Sequence, residues 1–98
     1  MKIIPELQSR LAEHTKWRHV IHAHPELAYQ ENKTSELVAD RLESFGIDIH
    51  RGMGKTGVVG TIKYGNSTKR IGLRADMDAL PLQEKNQVAH RSKTDGVM

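Results

Sequence analysis

The sequence has no cysteine among its 98 residues, so these residues hold neither a disulfide nor a thiolate metal site. Aromatic residues are scarce as well. One Trp, two Tyr and one Phe are too few to build a platform on which bases would stack. No stretch approaches the ~18 consecutive apolar residues of a membrane span, and Met1-Lys2-Ile3-Ile4-Pro5-Glu6 lacks the apolar centre of a secretory leader. Clustered charge is also missing: 15 Lys and Arg are scattered among 12 Asp and Glu, and the longest basic run is Lys69-Arg70. Nucleic-acid binders concentrate such charge on one face. These absences predict no nucleic-acid partner, no membrane attachment and a cytoplasmic protein. Gly52-x-Gly54-x-x-Gly57 neither follows a Rossmann strand nor opens a helix, so it is not read as a phosphate loop. The length allows one small core.

What is present is a helix-then-strand order. Pro5 suits the first turn of a helix, and Leu7, Leu11, Trp17, Val20 and Ile21 recur at spacings near three and four. That helix has to stop by His24, because the residue before Pro25 is pushed out of the helical region. A linker over 25–30 follows. From Glu31 onward, Leu37, Val38, Leu42 and Phe45 form a second helical stripe, which Gly46 ends by supplying a left-handed residue. The period then changes to two: Ile47 and Ile49 alternate with Asp48 and His50, a half-buried strand broken at Gly52 and Gly54. Val58, Val59 and Ile62 mark a second strand, Gly65-Asn66-Ser67-Thr68 a turn, and 70–77 a third strand, the last two pairing as a hairpin. Beyond Pro81 the pattern is aperiodic, which predicts a loop over 83–98.

Two acids at the end of the third strand are the candidate site. Asp76 and Asp78 are two apart, so on a continuing strand they face the same way and can share a cation or a proton. A pair of solvated surface acids satisfies the same spacing. Arg74 stands where it can pair with one of them. His19 and His22 lie one helical turn apart, but a pair at that spacing without a convergent third ligand does not make a zinc site, and surface or capping roles fit them better. His50 and His90 have no ligand-like neighbours in sequence.

Three segments together resemble the start of the M20 metallopeptidase family, in the amidohydrolase branch of hippurate and N-acyl amino acid hydrolases. Trp17-Arg18-His19-Val20-Ile21-His22-Ala23-His24-Pro25-Glu26-Leu27, with Glu31 and Thr34 following, is similar to that family's opening motif. Gly72-Leu73-Arg74-Ala75-Asp76-Met77-Asp78-Ala79-Leu80-Pro81 is the most specific match. Arg91-Ser92-Lys93-Thr94-Asp95-Gly96-Val97-Met98 resembles the run that leads, in that branch, directly into His-Ala-Cys-Gly-His-Asp.

The resemblance implies an α/β fold in which two helices pack on a small sheet, the N-terminal part of a zinc-exopeptidase-type (phosphorylase/hydrolase-like) catalytic domain. It makes 1–98 a partial catalytic domain without the lid through which relatives form homodimers or homotetramers. It implies a pair of divalent ions, zinc, manganese, cobalt or nickel, whose ligands fall beyond Met98, so that no metal ligand is assigned within the chain. It implies hydrolysis of the amide bond of an N-acyl amino acid by a metal-activated water, with peptides as the alternative substrate. Asp78 matches the acid that orients a metal ligand, while Asp76 stands where other branches carry a histidine, which leaves its role open. The His-Pro-Glu segment reads as structural. A chain ending here is expected to be inactive and poorly soluble, with its third strand lacking a neighbour. A small non-catalytic binding module is the reading from another class.

Overall fold

The computed structural model describes residues 2–98. Five elements follow in order: helices α1 (Pro5–Ser9), α2 (Leu11–Ala23) and α3 (Asn32–Ser44), then strands β1 (Asp48–Met53) and β2 (Gly57–Thr61). The chain divides into two compact units. One joins the residues up to Pro25 with Leu80–Met98, and the other is Glu26–Ala79.

In the first unit the long predicted helix is two. The break falls at Arg10, whose ψ of 4° leaves the α region, and its N–H closes onto the carbonyl of Leu7. The α2 helix ends at Ala23, as the pre-proline rule requires, and the His24 ring nitrogen reaches back to the Val20 carbonyl at 3.1 Å. Residues 83–98 carry no helix or strand, as predicted, yet they are not loosely placed. Lys93 N–H donates to the Ala23 carbonyl at 2.9 Å, and Leu80 and Met98 exchange both main-chain bonds, at 2.8 and 3.0 Å.

In the second unit α3 lies against the β1–β2 hairpin, so the α/β expectation holds. The helix buries Ala39 and half-buries Leu37, Val38 and Leu42. Gly46 takes φ 72°, the left-handed value that ends a helix, and donates to the Glu43 carbonyl at 2.8 Å. Gly60 lets the hairpin lie close against Leu42 of α3 and Ile47. A Cβ there would stand 3.1 Å from Ile47 Cγ2 and 3.3 Å from Leu42 Cδ1.

The hairpin differs from the predicted one. It joins β1 to β2, antiparallel, with Asp48 opposite Thr61 and Arg51 opposite Val58, and a register irregularity between Arg51 and Met53. Gly54 and Lys55, at φ 56° and 79°, reverse the chain; of the two glycines expected to break the strand, Gly54 opens the turn while Gly52, at φ 87°, lies within β1. The predicted third strand is absent: 70–77 has no assigned helix or strand and no ladder. Its alternating residues suit a strand, but no neighbour in this unit offers it hydrogen bonds. Among the described residues no helix is long and apolar enough to cross a membrane.

Candidate functional site

Asp76 and Asp78 sit at the end of that stretch. Asp76 Oδ1 accepts from Arg74 Nη2 at 2.7 Å, the pairing anticipated from sequence, but both side chains are largely exposed, so the pair contributes little to stability. Asp78 is exposed too. Its main chain, however, is held. The next residue, Ala79, donates its N–H to the Glu26 carbonyl at 2.8 Å and forms an isolated parallel bridge with Leu27.

Glu26 is itself fixed by α3. Its Oε1 accepts both the Thr34 N–H and the Thr34 hydroxyl at 2.7 Å, and its Oε2 accepts the Lys33 N–H at 3.1 Å. Burial pushes this carboxyl upward, but the Thr34 and Lys33 donors outweigh it and hold it below the usual range. The residue that bounds α3, Glu31, has no cap hydrogen bond of its own, so Glu26 supplies acceptors for the helix start from outside it. The His-Pro-Glu segment therefore does fix the connection between helices, as read from the sequence. Nearby, Glu31 is buried and accepts from the Thr56 hydroxyl at 2.6 Å, which holds its carboxyl low and ties the helix start to the hairpin turn.

The histidines do not assemble a metal site. His19 stacks on His90 with ring centroids 3.7 Å apart and planes 4° from parallel, a geometry in which the rings lie face to face instead of converging on a point. Burial, followed by the neighbouring charges of His90, Arg18 and His22, lowers the His19 pKa. His22 Nε2 meets Glu84 Oε1 at 2.9 Å, and Glu84 Oε2 accepts the Ser92 N–H at 2.6 Å. Among the described residues Glu84 is the largest fully enclosed side chain, and nothing in its local sequence marks it, because its partners lie 62 and 8 residues away. Among the described residues no group of three or more His, Cys, Asp or Glu is placed to hold a metal ion.

No family model matches the chain. Individual proteins do. The hippurate hydrolase of Campylobacter jejuni is 52% identical over 98 residues, which is all of this chain and 26% of that one. Thermostable carboxypeptidase 2 of Saccharolobus solfataricus is 43% identical over 103 aligned positions, again the whole of this chain and 26% of the relative. Among solved structures, a dinuclear metal binding peptidase of Bacillus subtilis from the M20 family superimposes with a TM-score of 0.79 at 41% identity, over 89% of this chain and 25% of that one. The chain is thus similar to hydrolases along its whole length and to an M20 peptidase over 89% of it. It spans about a quarter of the length of the curated relatives it matches. The match to the hippurate hydrolase takes in all of this chain, so it includes both units, Asp76, Asp78 and the loop that carries Glu84.

Proposed function

We propose that the chain forms the N-terminal portion of the catalytic domain of an M20 amidohydrolase acting on N-acyl amino acids. The observation that carries this reading is the 52% identity to a hippurate hydrolase along the entire chain. Its exposed apolar side chains support it. Leu7, Leu11, Ile71 and Leu73 lie open to solvent, while the buried hydrophobic residues are only Ala23 and Ala39 among those described. Surfaces of that kind are covered in a larger domain.

The residues present do not make a metal centre alone, so the divalent ions of the proposed activity need ligands that other segments supply. When bound, such ions activate a water for attack on an amide carbonyl. The role that fits here is a supporting one. Asp78 offers an exposed carboxylate on a main chain fixed at Ala79, suited to accept a hydrogen bond from a metal-binding imidazole and orient it. Asp76, already paired with Arg74, balances that charge and is not assigned to the site.

Reconstitution tests this. The chain is mixed with the complementary three-quarters of the Campylobacter jejuni hippurate hydrolase and Mn²⁺, and hippurate cleavage is followed. Turnover is expected from the mixture and from neither part alone, with Asp78→Ala lowering it about 10- to 100-fold, the usual cost of losing a group that orients a metal ligand. Metal-dependent cleavage by the chain alone would overturn the supporting role. The carboxypeptidase relative makes peptides the second substrate class, and a mixture that cleaves dipeptides faster than hippurate would favour it.

A further inference from the structure

Glu26 is used at both of its ends. Its carboxylate takes hydrogen bonds from the first turn of α3, through Lys33 N–H, Thr34 N–H and the Thr34 hydroxyl. Its carbonyl oxygen takes the N–H of Ala79 at 2.8 Å, and the following residue, Leu27, forms the parallel bridge to Ala79. Neither the connection at 25–31 nor the stretch at 70–78 belongs to a helix or a strand. Regular structure therefore does not fix them. The connection is anchored by Glu26 on α3 and by the turn in which Gln30 N–H meets the Leu27 carbonyl at 2.9 Å. The carboxylate is well suited to its end of the anchor, because α3 is a 13-residue helix whose start presents unpaired N–H groups and favours negative charge.

We infer that Glu26 is a positioning residue for Asp78: by clamping its own side chain to α3, it fixes the main chain at Ala79 and with it the origin of the neighbouring carboxylate. The inference rests on the role given to Asp78 above. A carboxylate that merely capped α3 would stabilise the helix and leave Ala79 indifferent. Glu26 instead links the helix start to the acid-bearing segment in one residue, the side chain setting where its carbonyl stands and the carbonyl setting where Ala79 stands.

Amide hydrogen exchange in the full chain, followed residue by residue by NMR, separates the two. Three variants are compared with the parent: Glu26→Ala, Glu26→Gln and Thr34→Val. Ala79 N–H is expected to exchange about 10-fold faster in Glu26→Ala, where all the carboxylate's hydrogen bonds are lost. Glu26→Gln keeps an oxygen for Thr34 but gives up the acceptor for Lys33, and is expected to fall between it and the parent. Thr34→Val removes only the hydroxyl donor, and is expected to accelerate Ala79 about 3-fold. This milder change keeps a reading should Glu26→Ala fail to fold. Lys93 N–H, bonded to Ala23 in the other unit, serves as the control and should keep its parental rate.

Acceleration at Lys33 and Thr34 with Ala79 unchanged would overturn the inference, as would equal acceleration at Ala79 and Lys93. In the reconstituted mixture Glu26→Ala should lower kcat and leave KM near the parental value. If Ala79 is released while kcat stands, the positional link survives and the role assigned to Asp78 fails.

Discussion

Glu84 shows what a buried carboxylate asks of its surroundings. At 2% exposure it cannot rely on water, and each oxygen has a protein donor, the Ser92 N–H for one and His22 for the other. Its main-chain carbonyl is engaged as well, by Arg91 Nη2 at 2.8 Å. The Ser92 and His22 contacts hold the carboxyl below the ordinary glutamate range, against the opposing effect of burial. Because the folded value lies below the unfolded one, the stability Glu84 supplies is present above the ordinary glutamate pKa. It is lost as pH falls through that value toward the lowered one. Glu26 and Glu31 are displaced in the same direction and add to the same loss. The urea midpoint of the chain should therefore drop between about pH 5 and pH 3. Glu84→Gln should begin lower at pH 7, because an amide cannot accept at both positions, and should lose less on acidification. Identical slopes for parent and variant would show that Glu84 is not the titrating support. None of this was legible beforehand. Glu26 stood out through its motif, whereas Glu84 looked like one acid in a polar tail until the fold brought His22 to it.

The elements that formed as predicted are those whose signals are complete within the segment. The α3 helix has an apolar stripe and a terminator, and Gly46 adopts the left-handed geometry that its position after the stripe requires. The strands β1 and β2 also formed where expected, although they pair with each other and not as the expected hairpin, because both and their turn lie within 14 residues. The segment at 70–77 has the strand's alternation and lacks the partner, and a strand exists only by pairing. Likewise the split between α1 and α2 was not visible in the apolar spacing, because it rests on the single residue Arg10. Gly46→Ala tests the α3 terminator. It would force a side chain into φ 72° with no neighbouring atom within 4 Å of the new Cβ, so the cost is conformational and not steric. A loss of about 1 kcal/mol in urea-measured stability is expected. A neutral result would mean that the chain end of α3 shifts freely to another terminator.

At the scale of the whole molecule, the exposed apolar residues decide behaviour more than the buried ones. Ile71 and Leu73 are 91% and 96% exposed on a stretch whose main chain lacks a ladder. A segment with strand-like alternation, exposed apolar side chains and no ladder partner is a template for pairing with another chain. The concentration limit of the chain should therefore be set by this stretch and not by the α3–hairpin packing. Replacing both residues by lysine places charge on the free segment while touching none of the contacts of α3, β1 or β2. The double variant Ile71→Lys, Leu73→Lys should stay monomeric in sedimentation at concentrations where the parent associates, with an unchanged far-ultraviolet circular dichroism spectrum. If the parent is equally monomeric, the segment is inert in isolation. If both associate alike, the adhesive surface lies elsewhere, and Leu7 and Leu11 on the helical unit are the next residues to charge. In the reconstituted hydrolase the same double variant should fail to combine with the complementary part. If the proposed reading holds, the surface that makes the chain associate is the one the complementary part covers, so gaining solubility and losing reconstitution should go together.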